Sequence, residues 1–581
     1  MVTFQLANEA YKLKRQYGAD APVAPKSLIA CRRDSAAFQL VVNTDYVYSL
    51  STALGDWYTA RGGKRPGNLT SGPHLRLRVA VESPFDTEVK LVGLVTDDDE
   101  AKKADILLAQ STVESDANAP TAVWVELNVP ADAEPGEYTV KASLYGAFYN
   151  EDERLIETHS LPIRVMSYTL PESKDYKFHL DLWQHNSNIS RKHDVPLWSD
   201  EHFAVLEEYV KSLAALGQKA VTVCASQIPW SGQSCFENQE YGGNLFEYSI
   251  IGIVRETDGR FTYDYTRMQK YIDICAKYGI KDEIEVFGLI NLWSYKNFIP
   301  DKLCPDYIEP IRLRYLDKAD GCMKYIRNAE QIKDYIVSLE RYFVTTGQID
   351  RVRVVADEPS DMDKYRESLA FLQDLVPAFK YKTAINHAEF IEEFGDQISD
   401  FVPHCRCANK AHKALREYQK KYADKRFLWY VCTGVSRPNN FIRSPLEESR
   451  MIGPMTAILG FDGFLRWNYT VWSDDPRKDM RFSRFEAGDT NFVYPAYNGK
   501  PLLSLRYKNL RRGIMDYEIS RAVAAKYGEE KVYELFDRIF VIKDRFEYYS
   551  AMKKGGEKLY HTDWQLMDDI KREMLEMLED R

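Results

Sequence analysis

The sequence feature that most constrains the fold is a unit of helix, glycine and apolar strand that occurs three times. In the first copy, "HFAVLEEYVKSLAALG", one helical face carries Phe203, Leu206, Val210 and Leu213, and Gly217 ends the helix before the apolar run "KAVTVCAS". The other two copies have the same order: Met268, Tyr271, Ile272 and Cys275 before Gly279 and "EIEVFGLI", and Ile332, Tyr335, Ile336 and Leu339 before Gly347 and "RVRVVADEP". Helices that alternate with buried strands predict βα units on a parallel sheet.

Eight strand candidates follow this pattern. They are "KFHLDLW", "KAVTVCA", "EIEVFGL", "RVRVVAD", "KYKTAIN", "DFVPHC", "RFLWYVC" and "DGFLRWN", and helical stretches separate most of them. Eight is the number of strands that closes a (β/α)8 barrel. An open doubly wound sheet fits less well, because no glycine-rich phosphate turn follows the first strand. The sequence therefore predicts a catalytic (β/α)8 TIM-like barrel over residues 171–525.

The regions on either side of the barrel differ from it in pattern. Residues 1–170 contain short strand-like runs such as "AAFQLVVNTD" and "HLRLRVAVES", separated by Gly, Pro and Asp, which predicts a β-sandwich domain. Residues 526–581 are helical and charged, and they predict a C-terminal helical extension that packs on the barrel. The spacing of Arg512 and Asp516 predicts an ion pair between neighbouring helical turns. The predicted fold class is multidomain β plus α/β.

Composition limits the partners of the chain. Its 581 residues exceed the roughly 250–300 at which a single core stops growing, so more than one domain is expected. A balance of 77 basic and 87 acidic residues leaves no basic surface, which predicts no nucleic-acid partner. No apolar run reaches about 18 residues, which predicts no membrane insertion.

Localisation is predicted from the N-terminus and the cysteines. "MVTFQLANEAYKLKRQYGAD" lacks the apolar stretch of a signal peptide, and nine cysteines without framework spacing are typical of reduced thiols. A cytoplasmic protein is the first interpretation, and an exported protein whose signal peptide has been removed is the alternative. The segment "HCRC" (404–407) has no second pair of ligands, so buried thiols are expected there rather than zinc.

The candidate site residues lie where the predicted strands end, since the loops at the carboxyl ends of barrel strands form the active site. Asp357 and Glu358 end the fourth strand. Polar and aromatic residues follow other strands: Trp183 and Gln184 the first, Asn291 and Trp293 the third, Asn386 the fifth, Tyr430 the seventh and Trp467 the eighth. Amides, hydroxyls and tryptophan faces around two carboxylates are typical of a site for a polyhydroxylated ring.

The adjacency of Asp357 and Glu358 leaves two interpretations. Glycosidase carboxylates usually come from separate strands, about 5–5.5 Å apart for retention or roughly 6.5–9.5 Å apart for inversion. Neighbouring carboxylates suit a substrate-assisted reaction instead, in which protonated Glu358 is the general acid and ionised Asp357 stabilises a nucleophile supplied by the substrate. The alternative is structural: Pro359 begins a helix, and the two acids complement its dipole.

Several segments resemble glycoside hydrolase family 123, which overlaps the domain of unknown function 4091. They are "VRVVADEPSD", "FLWYVCTGVSRPNNFI", "ILGFDGFLRWNYTVWSDDP", and "GDTNFVYP" followed by "SLRYKNLRRGIMDYE", and the resemblance covers roughly residues 177–536. It implies a β-sandwich, a (β/α)8 barrel and a retaining β-N-acetylgalactosaminidase acting on glycosphingolipid-type oligosaccharides. It also implies that Asp357 stabilises the acetamido group, Glu358 is the acid/base, Tyr430 lies near the acetamido carbonyl and Trp467 lies under the sugar.

Alternatives remain for individual residues and for the function. Trp467 could pack inside the barrel, Tyr430 could face the outer helices, and Asn386, Gln184 and Asn291 could be loop caps. We expect a retaining exo-glycosidase that removes terminal β-linked N-acetylgalactosamine without a metal or cofactor. The alternatives are a glycoside hydrolase of another specificity and a non-catalytic carbohydrate-binding protein. The sequence leaves open the galacto or gluco configuration, the aglycone and the oligomeric state.

Overall fold

The computed structural model describes residues 1–15, 21–54, 75–148, 151–230, 244–291, 302–410, 412–432, 437–482, 485–541 and 560–579. Eight parallel strands form its centre: β1 His179–Leu182, β2 Ala220–Cys224, β3 Glu283–Phe287, β4 Val352–Asp357, β5 Lys380–Ile385, β6 Asp400–Pro403, β7 Arg426–Tyr430 and β8 Gly463–Arg466. Each strand from β2 to β8 pairs in parallel with the next, and β8 pairs with β1. All eight predicted strands are therefore present, in a nearly closed barrel.

The seam between β1 and β2 is held by the side chains of two glutamines. One isolated bridge, Leu180 with Gln218, joins the two strands by their backbones. The Leu182 N–H donates to Gln218 Oε1 at 2.9 Å, and the Thr222 N–H donates to Gln184 Oε1 at 2.8 Å. These side-chain amides take the place of ladder hydrogen bonds, so that buried backbone groups at the seam have partners.

The helices alternate with the strands as predicted. Their bounds are Asn186–His193, Asp200–Leu216, Thr266–Lys277, Ala329–Thr345, Met362–Leu375, Glu389–Phe394, Cys405–Lys410, His412–Lys421, Leu446–Leu459, Leu505–Tyr527, Glu529–Phe536 and Trp564–Leu578. The predicted apolar faces are buried, and Gly217 ends its helix with φ at 84°. Cys405 and Cys407 are buried, as expected for "HCRC". In the described part of the chain, every helix is too short or too polar to cross a membrane.

Smaller strands lie in the connections between barrel strands and in the segment after β8. They are Ile228–Pro229 with Phe246–Glu247, a four-stranded sheet of Gly252–Arg255, Phe261–Asp264, Arg314–Asp317 and Cys322–Tyr325, and the pair Val493–Pro495 with Pro501–Leu503. Short 3₁₀ turns span Ser173–Asp175, Ile349–Arg351 and Asp537–Ile539.

The described part of the N-terminal region is rich in β-structure and forms two six-stranded sheets. The first contains Val2–Asn8, Ser35–Thr44, Thr121–Asn128, Asp86–Thr96, Lys102–Leu107 and Lys14–Arg15. The second contains Leu28–Arg32, Arg154–Thr169, Gly136–Phe148, Leu75–Glu82, Tyr48–Ser51 and Thr112–Ser115. Side chains of both sheets, including Phe38 and Leu144, belong to one buried hydrophobic cluster. The sandwich arrangement and the predicted domain boundaries stay predictions, and the helix Leu505–Tyr527 continues past residue 525.

That helix joins the barrel to the N-terminal sheets through buried ion pairs. Arg512 contacts Glu9 and Asp34, each at 3.2 Å. Asp516 pairs instead with Arg450 at 2.6 Å. The predicted pair of Arg512 with Asp516 is therefore wrong, because each side chain has a closer partner on another element.

The barrel interior also contains buried charges. The Lys382 ammonium lies 2.5 Å from Asp181, 2.8 Å from Glu283 and 2.9 Å from Glu285, and all four side chains are at most 1% exposed. The three carboxylates are close enough to share a metal ion, and the lysine supplies a positive charge among them. Burial and the neighbouring Asp181 raise the pKa of Glu285 well above its ordinary value.

We predict that Lys382→Met lowers the free energy of unfolding by about 3–5 kcal/mol, because it leaves buried carboxylates without their cation. The matched control is Lys380→Met on the same strand, whose ammonium is exposed beside Asp350. Urea unfolding followed by circular dichroism measures both, and the control should change by no more than about 0.5 kcal/mol. Equal effects of the two substitutions would contradict a stabilising role for the buried lysine.

Candidate active site

The backbone turns sharply where the two predicted catalytic carboxylates follow β4. Asp357 is the last residue of the strand, and the Glu358 N–H still donates to the Ala384 carbonyl of β5 at 3.1 Å. The backbone of Glu358 has φ at 45°, in the left-handed region. Residues other than glycine rarely adopt this conformation, which costs on the order of 1–3 kcal/mol. Such strain is concentrated at functional sites.

The structural alternative for these acids is wrong. The next helix begins at Met362, and its N-cap is Asp361, whose carboxylate accepts the Lys364 N–H at 3.1 Å. Pro359 therefore lies before the helix rather than at its first position. Asp357 and Glu358 lie outside the first turn, so helix capping does not account for them.

Residues from three strand ends meet at the Glu358 carboxylate. The Tyr430 hydroxyl, at the end of β7, donates to Glu358 Oε1. The Asn386 amide, one residue beyond β5, donates to Glu358 Oε2 at 3.2 Å. Tyr430 is buried, and burial together with the Glu358 charge raises the pKa of its hydroxyl well above the ordinary value. Tyr430 thus points toward the site rather than toward the outer helices.

Asp357 has a different environment. Burial, followed by the neighbouring Glu358 charge, raises the pKa of Asp357 well above its ordinary value. Among the described residues, no hydrogen-bond donor reaches its carboxylate. The ligand-free site therefore opposes ionisation of Asp357, whereas the role expected from the sequence needs the ionised form. A donor or a positive charge brought to the Asp357 carboxylate would favour its ionisation and lower this pKa.

Trp467 follows β8 and is partly exposed. Its ring centroid lies 5.0 Å from that of Phe485 and 6.2 Å from that of His185, whose ring stands edge-on. Its backbone carbonyl accepts a hydrogen bond from His185 Nε2 at 3.1 Å. The ring is therefore supported by aromatic neighbours and keeps part of its surface accessible.

Three other predicted contacts are largely enclosed by protein. Trp183 is fully buried, with its ring centroid 4.9 Å from that of Phe287. Gln184 uses its amide in the seam between β1 and β2. Asn291 is 3% exposed, and its Nδ2 donates to the Gly288 carbonyl at 2.9 Å. These environments favour packing and loop-capping roles, and ligand contact by these residues stays a prediction. Trp293 lies outside the described residues.

Glu247 is a buried acid near the site that the sequence analysis did not identify. It accepts the Ser187 N–H at 2.9 Å, at the start of the helix Asn186–His193, and its Oε1 lies 3.9 Å from His185 Nδ1. Burial raises the pKa of Glu247 to about 7 and lowers the pKa of His185 to about 4. Glu247 stands in the segment "NLFEYS", which has no motif that marks a functional acid.

The fold is similar to that of a solved glycoside hydrolase. The structure described as "The details of glycolipid glycan hydrolysis by the structural analysis of a family 123 glycoside hydrolase from Clostridium perfringens" matches with a TM-score of 0.72 and 14% identity, over 100% of both chains. A β-D-glucuronidase from Dictyoglomus thermophilum matches at a TM-score of 0.31 and 10% identity, over 85% of this chain and 68% of that one. No curated protein matches the sequence.

Family membership follows from the sequence itself. The model of the glycoside hydrolase 123 catalytic domain matches residues 183–523, more than half of the 581-residue chain. The matched range begins directly after β1 and ends inside the helix Leu505–Tyr527, so it includes Asp357, Glu358, Tyr430 and Trp467. The chain belongs to glycoside hydrolase family 123.

Proposed function

We propose that the protein is a retaining exo-glycosidase that removes terminal β-linked N-acetylgalactosamine from oligosaccharides or glycoconjugates. The observation that carries the proposal is the pair Asp357 and Glu358 at the end of β4, with Tyr430 and Asn386 donating to Glu358. The family supports a glycosidase. The Clostridium perfringens structure is described in terms of glycolipid glycan hydrolysis, which supports a glycoconjugate substrate of the same kind.

In the first step of the proposed reaction, the protonated Glu358 carboxyl donates its proton to the leaving glycosidic oxygen. The carbonyl oxygen of the substrate 2-acetamido group attacks the anomeric carbon, and the bond to the leaving group breaks. The product of this step is a cyclic oxazolinium ion with inverted configuration. The protein contributes to this step in two ways: it transfers a proton, and its preorganised polar groups stabilise the charge that develops.

In the second step, Glu358 acts as a carboxylate and removes a proton from water. The activated water attacks the anomeric carbon and opens the oxazolinium ring, which restores the acetamido group. The anomeric centre is inverted twice, so the overall configuration is retained. We assign Trp467 as the platform under the sugar ring and Tyr430 as a donor to the acetamido carbonyl. To reach the acetamido carbonyl, the Tyr430 hydroxyl exchanges its hydrogen bond to Glu358 for a hydrogen bond to the substrate.

Asp357 receives its donor from the substrate in this scheme. The acetamido N–H points at the Asp357 carboxylate, and the oxazolinium ion places a positive charge beside it. Both effects favour the ionised carboxylate and lower the pKa that burial has raised in the ligand-free site. A substrate without the acetamido group supplies neither the nucleophile nor this donor.

A panel of aryl β-glycosides that differ at C2 and C4 tests the proposal. We expect the highest kcat/KM for the 2-acetamido galactoside and, by NMR, the β-anomer as the first product. Turnover of 2-hydroxy glycosides alone would support a glycoside hydrolase of another specificity. Sugar binding without turnover of any glycoside would support a non-catalytic carbohydrate-binding protein.

Substitutions separate the roles of the two acids. Glu358→Gln should lower kcat by about 10²–10⁴-fold for aryl groups that leave poorly, and by less for activated aryl groups, because only poor leaving groups need the proton. Asp357→Asn should lower kcat by about 10²–10³-fold for all of them, since it removes charge stabilisation. The exposed Asp363→Asn, just beyond the pair, is the control and should stay within about twofold of wild type. Equal and small effects at positions 357 and 358 would contradict both assignments.

The pH dependence of kcat/KM reports the ionisation of Asp357 in the free enzyme. Because the pKa of Asp357 is raised, activity should fall as the pH decreases through that raised value. Glu358→Gln removes the neighbouring negative charge, so the acidic limb should move to lower pH when measured with an activated aryl group. Burial is unchanged, so the limb should remain above the range of an exposed aspartate. A limb that stays in place or moves to higher pH would contradict this coupling.

A further inference from the structure

A loop of the N-terminal sheets reaches the segment that follows β8. The loop connects the strands Asp86–Thr96 and Lys102–Leu107. The Thr96 N–H donates to the Lys478 carbonyl at 2.8 Å, and the Met480 N–H donates to the Thr96 carbonyl at 3.1 Å. This backbone pairing joins the N-terminal region to the same connection that contains Phe485, which contacts Trp467.

Asp98, in this loop, contacts connections from two barrel strands. Its Oδ2 accepts the Ala487 N–H at 3.0 Å, and it lies 3.4 Å from Arg443 Nη1. Ala487 lies after β8 and Arg443 after β7. Arg443 also lies 3.3 Å from Glu486, and the Ile442 N–H donates to the Ala487 carbonyl at 2.8 Å. Asp98 therefore contacts both the segment after β7, the strand that ends at Tyr430, and the segment after β8, which Trp467 begins.

The path from Asp98 to the sugar platform is short. Ala487 is two residues from Phe485, whose ring centroid lies 5.0 Å from that of Trp467. Phe482, on the same segment, is buried in the hydrophobic cluster that contains Tyr430, and Trp467 packs against that cluster. A displacement of the Ala487 N–H would therefore move Phe485, two residues earlier in the chain, and the Phe485 ring contacts Trp467.

We propose that Asp98 is a positioning residue for Trp467, acting through Ala487 and Phe485, so that the N-terminal region shapes the mouth of the barrel. This inference rests on the proposed role of Trp467 as the platform under the sugar. The Asp98 side chain is 30% exposed, and the backbone pairing of Thr96 remains when its carboxylate is removed. Removal of the carboxylate should therefore loosen the segment without unfolding the protein.

Kinetics of three variants test the proposal, with the aryl glycoside of the panel that wild type hydrolyses best, whatever its sugar. Asp98→Ala should raise KM about three- to tenfold and leave kcat within about twofold, since one charged hydrogen bond is lost. Asp98→Asn should have a smaller effect, because its amide oxygen still accepts the Ala487 N–H. The matched control is Asp99→Ala in the same loop, whose carboxylate pairs with Lys103 of the N-terminal region and should leave KM unchanged.

A double-mutant cycle and hydrogen exchange identify the route of the effect. In a Trp467→Ala background, Asp98→Ala should produce no further rise in KM. Amide exchange at Ala487 should be faster in Asp98→Ala than in wild type or Asp99→Ala, a readout that needs no substrate. An unchanged KM in Asp98→Ala, or the same rise in KM with and without Trp467, would overturn the proposal. Because the substrate is chosen by turnover, an incorrect sugar assignment in the proposed function does not affect this result.

Discussion

The parallel pairing of β4 with β5 is the constraint on which the candidate site depends. Asp357 pairs with Ala384, and the Glu358 N–H donates to the Ala384 carbonyl, which brings Glu358 beside Asn386. A shift of this register by one residue would exchange the faces of the strand and move Asp357 to the other side of the sheet. Similar pairing around the barrel brings the end of β7, with Tyr430, to the same carboxylate. The geometry of the site is thus a consequence of the ladder and of the turn at Glu358.

The barrel could be predicted from sequence because its information is local. Each helix has a periodic apolar face, each strand is a short apolar run, and the Asp–Glu pair stands at a visible strand end. The roles of Gln184 and Trp183 could not be read in this way. Gln184 supplies hydrogen bonds that the seam between β1 and β2 lacks, and Trp183 packs against Phe287 at the end of β3 and Trp230 in the connection after β2. Both depend on how the barrel closes, which no single segment encodes.

The same limit applies to the charged helix Leu505–Tyr527. Its sequence predicts an ion pair within the helix, Arg512 with Asp516, yet these side chains pair with residues of other elements. Lys508 pairs with Glu88 at 2.6 Å, and Arg506 pairs with Asp105 at 2.9 Å, both across the interface with the N-terminal sheets. From the last helix, Lys571 pairs with Asp34 at 2.6 Å. A charge that stays buried after losing its partner is costly, so the N-terminal region and the barrel are expected to behave as one folding unit.

The environment of Asp357 connects this architecture to the choice of substrate. A largely desolvated carboxylate, next to a second acid and without a donor among the described residues, has a raised pKa. An enzyme whose nucleophile is a protein carboxylate would need that anion before the substrate binds. The proposed substrate-assisted reaction does not, because in it the acetamido group would bring an N–H donor to Asp357 and then a positive charge. The raised pKa of Asp357 in the ligand-free site is therefore compatible with the proposed substrate-assisted hydrolysis, and under that proposal it would make catalysis depend on the acetamido group.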